Sequence, residues 1–333
     1  MGGRVGVRRW AGRLRRAMLA ALVAGAVVVP VSAAAHPEIP APGPARLGTV
    51  TAASLDGAYA ANRATAARAA TMAADHGDTG RARELRAMAS AGRTFLDFDP
   101  RGRGRAAEVF GDLAHAGRIA VLVPGSDTSI DTYDRFRAGA LALHDRLGAR
   151  AAVVAWLGYE TPGTVSAAVI TTGRAHRAAP ELTAFVRRLH GIAPDSAVSL
   201  LCHSYGAVVC AVAAPHLTGS AAVRDLALVG SPGAGADSAA DLGTRATVWA
   251  ARGADDWIAD VPHVRADVFG TTVGFGTDPV SAAFGARVFA AGDGGHSDYF
   301  RPGSPSLDNL TRIVLGRYTD VTDIADATEA THG

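Results

Sequence analysis

The chain contains 333 residues, of which 48% are hydrophobic, so it can form one large domain or two smaller ones with a sizeable core. Its 33 basic residues are all arginine, and the formal net charge is only +2. This near balance argues against nucleic acid as a partner, because binding to phosphate backbones depends on an excess of basic side chains.

Residues 1–35 have the three-part layout of a secretory signal. Six arginines precede an apolar run over residues 17–29, Pro30 ends the run, and small residues at 32–35 provide a cleavage site. The run is short for a bilayer-spanning helix. We therefore predict export with cleavage near Ala35 and no stable membrane span afterwards, and an uncleaved anchor is the alternative. Without the six arginines, the formal charge falls from +2 to −4.

Residues 36–93 form a second region. It opens with the Pro-rich spacer His36–Arg46 and continues with Ala- and Arg-rich sequence from Thr51 to about Ala91. A turn signal at His76–Gly80 divides the helix-favouring part into two helices. Because these helices are too polar and Ala-rich to form a core of their own, we predict that they pack on the domain that follows, residues 94–333.

In residues 94–333, short apolar runs alternate with helical patterns. We predict strands within 94–100, 106–113, 118–125, 151–159, 197–204, 225–233, 245–253 and 286–300. The predicted helices are 131–147, 181–190, 205–217 and 306–318, with a loop-rich stretch ending near Ala179. Near-continuous apolar strands that alternate with helices indicate an α/β fold with a mostly parallel central sheet covered by helices on both faces. The N-terminal helices extend this fold.

A serine lies at the carboxyl end of one predicted strand, in the sequence CHSYG from Cys202 to Gly206. A small residue two positions before and two after a serine, between a strand and a helix, is the pattern of a nucleophile elbow. Gly206 fits the pattern, whereas Cys202 replaces the more common glycine. The sharp turn would expose the Ser204 hydroxyl and direct the Tyr205 N–H toward an attacked carbonyl. The simpler alternative is a helix N-cap.

Further polar residues follow other strand ends, where function is found in parallel sheets. Ser126 and Asp127 are candidates for a second oxyanion N–H donor, and His296 in a glycine-rich loop is the candidate base. Asp255, Asp256 and Asp260 are candidate acids. In an extended segment Asp256 would share the inward side of Ile258, so we predict Asp256 as the acid and Asp237 as the runner-up.

These features together resemble the α/β-hydrolase superfamily, and more narrowly an actinobacterial group of often exported, largely uncharacterised α/β-hydrolases. The resembling stretches lie between Val121 and Leu310: VLVPGSDTS, AWLGYETP, CHSYG, GSPG, DDWI and GHSDYF with SLDNL. They are specific only in combination. The resemblance implies the α/β-hydrolase fold and serine-hydrolase chemistry, with Ser204 as nucleophile, His296 as base and Asp256 as acid. It implies no particular substrate.

Other polar residues near the predicted site receive simpler interpretations. Adjacent side chains at a sharp corner diverge, so we predict that His203 packs away from the site. The stretch Gly233–Ser238 lacks the third glycine of a dinucleotide fingerprint and is interpreted as a loop. The histidines show no metal-ligand spacing, so we predict no metal and no cofactor. The spacing of Cys202 and Cys210 leaves a disulfide open, because the Cα atoms of a strand end and a second helical turn can exceed about 7 Å.

The substrate is predicted to be a small-molecule or lipid ester. Two insertions, Tyr159–Ala179 and Ala259–Ala286, lie on the side of the predicted site. Aromatic residues in or beside them are candidates for an apolar pocket: Trp156, Tyr159, Trp257, Phe269 and Phe275. We select Tyr159, Trp257 and Phe275 as substrate-binding residues. The same nucleophile, base and acid would serve a peptidase, an amidase or an acyltransferase, and a non-catalytic binding protein on this scaffold is the rival from another class.

Overall fold

A computed structural model describes residues 39–164, 166–261, 263, 265–268 and 271–323. The predicted signal at residues 1–35 and Phe269 lie outside these residues. Eight strands form the main sheet, and β8 and β9 form a separate antiparallel hairpin. The strands are β1 Phe95–Asp99, β2 Arg105–Phe110, β3 Arg118–Val123, β4 Ala151–Leu157, β5 Ala197–His203, β6 Asp225–Val229, β7 Thr247–Ala251, β8 Arg265–Val268, β9 Thr271–Gly274 and β10 Arg287–Val288.

The main sheet has the order β1-β2-β4-β3-β5-β6-β7-β10. Strand β2 runs antiparallel to both β1 and β4, and the other neighbouring pairs are parallel. The predicted mostly parallel sheet is therefore confirmed. Because the parallel strands point the same way, the residues that follow β3, β5, β7 and β10 lie together at the carboxyl ends of the strands.

Six α-helices accompany the sheet within the described residues: α1 Leu55–Asp75, α2 Thr79–Met88, α3 Tyr133–Leu147, α4 Gly173–Ile192, α5 Tyr205–Ala213 and α6 Pro305–Leu315. They cover both faces of the sheet. Along β3, Ile119 and Val121 belong to the core cluster that also contains the buried faces of α4 and α5, whereas the alternate residues Ala120 and Leu122 do not. Helices α3 and α6 contact each other on that second face. This alternation is what a sheet buried on both sides requires.

The N-terminal helices pack on the domain. Leu55 and Tyr59 of α1 belong to the same core cluster as α4 and α5. The side-chain amide of Asn62, which is buried, donates hydrogen bonds of 2.8 and 3.1 Å to the carbonyls of Phe95 and Leu96 in β1. The helical extension is therefore joined to the edge strand of the main sheet.

Two features of the chain differ from the sequence prediction. Helix α4 begins at Gly173, not at 181, and continues through Pro180. A proline removes one helical N–H, but Pro180 is exposed and the helix buries its other face, including Leu182 and Phe185, so packing compensates for the missing bond. The β8–β9 hairpin was not predicted either. Within the described residues, no helix is both long and apolar enough to cross a bilayer.

Candidate active site

Ser204 occupies a strained corner between β5 and α5. Its backbone has φ 54° and ψ −127°, a conformation that side-chain-bearing residues rarely adopt. The turn is crowded: a Cβ on Gly206 would lie 2.5 Å from the Val123 carbonyl oxygen, and a Cβ on Gly125 would lie 2.5 Å from the Ser204 Cβ. The small residues at these two positions are therefore required by the close approach of the β3 loop to the corner.

A disulfide joins the two sides of this corner. Cys202 in β5 and Cys210 in α5 are bonded, and their Cα atoms are 6.5 Å apart. That separation lies within the range that a bridge can span, so the disulfide left open by the spacing is present. Both cysteines are completely buried. The bridge encloses Ser204 in a covalent loop.

The structure brings Ser204, His296 and Asp256 into one hydrogen-bonded series. His296 Nε2 lies 2.9 Å from Ser204 Oγ. On the other side of the ring, His296 Nδ1 lies 2.8 Å from Asp256 Oδ1 and 3.1 Å from Oδ2. Ser204 follows β5, Asp256 follows β7 and His296 follows β10, so the parallel sheet brings together side chains that are far apart in the sequence.

Asp256 is the carboxylate that faces the histidine. Only 2% of Asp256 is exposed, whereas Asp255, Asp260 and Asp237 are exposed. The orientation of Asp256 does not come from the alternation of side chains in an extended segment, which was the predicted reason. Asp256 is the N-cap of a short 3-10 helix, Trp257–Asp260, and accepts a 2.9 Å bond from the Ile258 N–H.

The hydrogen bonds around Asp256 favour its charged form. Burial raises the pKa of this carboxyl, but bonds from His296, Tyr299 and the Ile258 N–H outweigh it, so the pKa lies below its ordinary value. Asp256 is therefore a carboxylate near neutral pH. An ionised carboxylate at Nδ1 holds the proton there and leaves Nε2 free to accept the proton of Ser204.

One aromatic residue beyond the predicted site residues, Tyr299, supports this series. The buried Tyr299 hydroxyl donates to Asp256 Oδ2 and accepts a 3.1 Å bond from the Gly253 N–H. Tyr299 lies three residues after His296 in the stretch GHSDYF, so the signal was present in a motif already singled out. It therefore holds the Asp256 carboxylate through Oδ2.

His203 does not pack away from the site, and that prediction is wrong. Its Nε2–H donates a 2.6 Å bond to the His296 carbonyl, and the two imidazole rings are 4.8 Å apart. The positive φ at Ser204 turns the chain so that its preceding side chain faces the His296 loop. Burial, followed by the neighbouring His296, lowers the pKa of His203 to about 4. A neutral imidazole therefore holds the backbone of His296 in place.

The three predicted oxyanion donors differ in whether their N–H groups are available to a ligand. Tyr205 is the first residue of α5, so its N–H has no partner within the helix and lies beside Ser204. Ser126 directly follows Gly125, and Gly125 lies against Ser204. Within the part of the chain that the structure describes, the Ser126 N–H donates to no acceptor. The Asp127 N–H, by contrast, donates a 2.9 Å bond to the Pro162 carbonyl. The assignment of Asp127 as a donor is therefore corrected, because its N–H is already occupied.

Asp127 instead ties the loop after β3 to a neighbouring loop. Its backbone has φ 57°, and Asp127 Oδ2 accepts a 3.0 Å bond from the Thr164 N–H and another bond from the Thr164 hydroxyl. A residue held in this conformation needs such contacts to offset the backbone cost. The Asp127 side chain thus fixes the position of Ser126, next to the corner.

A groove of about 1420 Å³ opens above Ser204 and contains Ser126, Tyr205 and His296 in its lining. Trp257 and Phe275, two of the residues predicted to bind substrate, also line it. Trp257 is 49% exposed, and its ring lies 4.5 Å from that of His296. Ile170, on the same groove, is also 49% exposed. Much of the wall is thus apolar and open to a ligand.

Tyr159 is not part of this groove, and its assignment as a substrate-binding residue is corrected. Only 4% of it is exposed, and its hydroxyl donates a 2.6 Å bond to the Pro124 carbonyl. Its ring stacks on Trp156, which is also buried. Tyr159 therefore supports the loop after β3 through its hydroxyl, because a buried phenol needs a hydrogen-bond acceptor and the Pro124 carbonyl provides it.

The site has the parts needed for nucleophilic attack on a carbonyl: a hydroxyl, an imidazole in contact with it, a buried carboxylate and N–H donors beside the hydroxyl. Among the residues that the structure describes, no group of three or more His, Cys, Asp or Glu side chains could hold a metal ion.

A comparison with protein families identifies the class. The family described as "Alpha/beta hydrolase" matches residues 99–266, just over half of the chain. The chain therefore belongs to the alpha/beta hydrolases, and the resemblance stated from its motifs is confirmed. The fold is the α/β-hydrolase fold with an N-terminal helical extension.

Curated relatives are found in Mycobacterium tuberculosis. Two uncharacterised proteins, from strains CDC 1551 and H37Rv, are each 31% identical over 261 residues, with 66% of this chain and 38% of the relative covered. The chain thus spans less than half the length of these relatives. Their origin agrees with the predicted resemblance to an actinobacterial, largely uncharacterised group.

Solved structures give distant likenesses. An α/β serine hydrolase without a lid from Xanthomonas campestris is 16% identical with a TM-score of 0.42, covering 66% of this chain and 91% of that chain. Esterase LipW from Mycobacterium marinum is 14% identical with a TM-score of 0.39, covering 76% and 90%. At these scores the family assignment depends on the family match alone.

Proposed function

We propose that this hydrolase is a serine esterase that cleaves a carboxylic ester by acyl transfer, with Ser204, His296 and Asp256 as its catalytic triad. One observation carries the proposal: Ser204, held at a positive φ, lies 2.9 Å from an imidazole whose other nitrogen contacts a buried carboxylate. A helix N-cap requires neither the strained backbone nor the histidine. The combination is that of an activated nucleophile.

In the first half-reaction, Ser204 Oγ attacks the ester carbonyl carbon while His296 Nε2 takes the hydroxyl proton. The negative charge that develops on the carbonyl oxygen is stabilised by the N–H groups of Tyr205 and Ser126. Asp256 holds the imidazole in orientation and stabilises its positive charge. When the tetrahedral intermediate collapses, His296 returns the proton to the departing alcohol, and the acyl group remains on Ser204.

In the second half-reaction, water attacks the acyl-enzyme. His296 removes a proton from the water, the same two N–H groups stabilise the second tetrahedral intermediate, and the carboxylic acid leaves as Ser204 regains its proton. The apolar side chains of Phe275 and Trp257 support the choice of an ester with an apolar acyl part, because they line the groove next to the nucleophile.

Labelling with a fluorophosphonate tests the nucleophile. We expect attachment at Ser204, located by peptide mass spectrometry, with loss of labelling in Ser204→Ala and in His296→Ala. Turnover of p-nitrophenyl esters of rising chain length should disappear in Ser204→Ala, while circular dichroism shows an intact fold. The matched control is Asp255→Asn, an exposed neighbour of the proposed acid, which should label normally. A Ser204→Ala variant with wild-type turnover would refute the mechanism.

We also propose that the protein is exported and cleaved near Ala35. The basic start, apolar run and small-residue site support this. The Cys202–Cys210 disulfide adds support, because disulfides persist in oxidising compartments. Amino-terminal sequencing of protein from the culture medium should begin at or near His36. Recovery of the chain only in membranes with residues 1–35 attached would favour the anchor instead.

A further inference from the structure

The groove above Ser204 carries two arginines that the proposed reaction does not use. Arg135 lies in the first turn of α3, and Arg301 lies in the loop between β10 and α6. Both side chains are exposed, and within the described part of the chain neither guanidinium forms an ion pair or a hydrogen bond. Each therefore offers its full set of N–H donors to a ligand in the groove.

The two arginines belong to one wall of the groove. Helix α3 and the loop after His296 meet where Gly139 faces Phe300, since a Cβ on Gly139 would lie 3.0 Å from the Phe300 Cβ. Arg135 lies one helical turn before Gly139 on the same side of α3, and Arg301 is the next residue after Phe300. The contact thus brings two positive charges from separate segments to the same side of the site.

The acidic residues of the lining do not neutralise these arginines. Asp127 and Asp298 are the carboxylates among the described lining residues. Asp127 Oδ2 is bonded to Thr164, and Asp298 Oδ2 accepts a 2.9 Å bond from the Gly295 N–H. Each carboxylate is thus bonded to a neutral group, and neither forms an ion pair with Arg135 or Arg301 within the described residues. The wall of Arg135 and Arg301 therefore presents positive charge to the groove.

We propose that the ester substrate carries a second, anionic group, a carboxylate or a phosphate, and that Arg135 and Arg301 bind it while Ser204 attacks the ester. A guanidinium binds either anion through two parallel N–H bonds, which fixes orientation as well as charge. This inference rests on the proposed esterase function and narrows its substrate class. The apolar side chains of Trp257 and Ile170 then accommodate the uncharged part of the substrate.

Paired substrates test the proposal. One series consists of mono-p-nitrophenyl esters of dicarboxylic acids of rising chain length, each compared with its neutral methyl ester. A second series replaces the terminal carboxylate with a phosphate monoester and its neutral dimethyl ester. The measured quantity is the ratio of kcat/KM for the anionic ester to that for its neutral partner, in the wild type, Arg135→Gln, Arg301→Gln and the double variant.

We expect the wild type to prefer the anionic partner in at least one series, by about tenfold or more, at one or more chain lengths. Each single variant should lower the ratio by about tenfold, the effect of one charge-assisted hydrogen bond. Arg187→Gln, which changes an exposed arginine on α4 outside the groove, should keep the wild-type ratio. The series that shows the preference identifies the anion as carboxylate or phosphate.

The proposal of an anionic substrate would be overturned by wild-type ratios near one in both series. It would also be overturned if Arg135→Gln and Arg301→Gln left the ratios unchanged. If the neutral esters are still hydrolysed and Ser204 is still labelled by a fluorophosphonate, only this inference fails. If no ester is hydrolysed and Ser204 is not labelled, the proposed esterase function fails with it.

Discussion

Ser204 and Asp127, which both line the groove, are the residues other than glycine that have a positive φ in the described chain. Ser204 is held by its buried surroundings: the Cys202–Cys210 bridge spans it, and the backbone of the β3 loop leaves no space around it. Asp127 is exposed and is held by polar bonds to Pro162 and Thr164.

Backbone strain within one site is therefore maintained in two ways. Around Ser204, packing in the core determines the backbone, and any change there also affects folding stability. Around Asp127, a few hydrogen bonds between two surface loops determine the backbone, so changes there should alter activity with little effect on stability. Substitutions on the two sides test this division.

On the buried side, substitution of the proposed acid Asp256 should cause a large loss of activity. Asp256→Asn should lower kcat by roughly 10⁴-fold, the scale seen when a triad acid is neutralised, because the amide stabilises the wrong tautomer of His296. Asp255→Asn, its exposed neighbour, should stay within about tenfold of the wild type. Steady-state kinetics on a p-nitrophenyl ester measures both. The reverse order of effects would remove Asp256 from its proposed role.

The disulfide should contribute mainly to stability. Replacing Cys202 and Cys210 together with Ala should lower the free energy of unfolding by about 2–3 kcal/mol, because closing even a short loop restricts the unfolded chain. Urea unfolding followed by circular dichroism measures this, and reduced wild-type protein is the control. A double variant as stable as the oxidised wild type would show that the corner is maintained by packing alone.

Asp127 should affect turnover more than stability. Asp127→Gly keeps the positive φ without strain but removes the bonds to Thr164, so Ser126 loses its support. We expect kcat to fall by about tenfold, less than the roughly 10²–10³-fold that follows complete loss of an oxyanion donor. Asp127→Asn keeps an acceptor oxygen and should be closer to the wild type. Equal loss in both variants, or none in either, contradicts the support role.

The smallest predicted effect is a pH dependence of stability from His203. Its pKa of about 4 in the folded protein lies below the value of 6.5 expected when unfolded, so the unfolded chain binds the proton first as pH falls. Between pH 7 and 5.5 this should lower stability by about 1 kcal/mol. His203→Gln should lose correspondingly less in urea unfolding at the two pH values. The same loss in both proteins would contradict the assignment.

The sequence predicted the features that local patterns encode. Buried parallel strands are visible as apolar runs, and the corner at Ser204 is visible because steric crowding requires a small residue at Gly206. Asp256 and His296 were found because strand ends meet at one edge of a parallel sheet. The geometry brings these residues together, although for Asp256 through a helix cap and not through the alternation that selected it.

The contacts that the sequence did not predict are between separate segments or depend on an unusual backbone. The bond from Asp127 to Pro162 joins two loops, and nothing near Asp127 in the sequence indicates it. The orientation of His203 depends on the φ of Ser204, and the burial of Tyr159 depends on the carbonyl of Pro124. Pro180 is a further example. A proline locally disfavours a helix, but the burial of neighbouring apolar residues outweighs this preference, and the helix continues through it.

The bonds from Asn62 to Phe95 and Leu96 have a consequence for any shortened form of this protein. Strand β1 is at the edge of the main sheet, and an uncovered edge offers its backbone groups to other chains. Helix α1 packs against that strand, and Asn62 satisfies two of its carbonyls. A chain truncated to begin near Arg93 would keep Ser204, Asp256 and His296 but expose this edge and the apolar surface beneath α1. We therefore expect removal of residues 40–92 to make the domain prone to self-association.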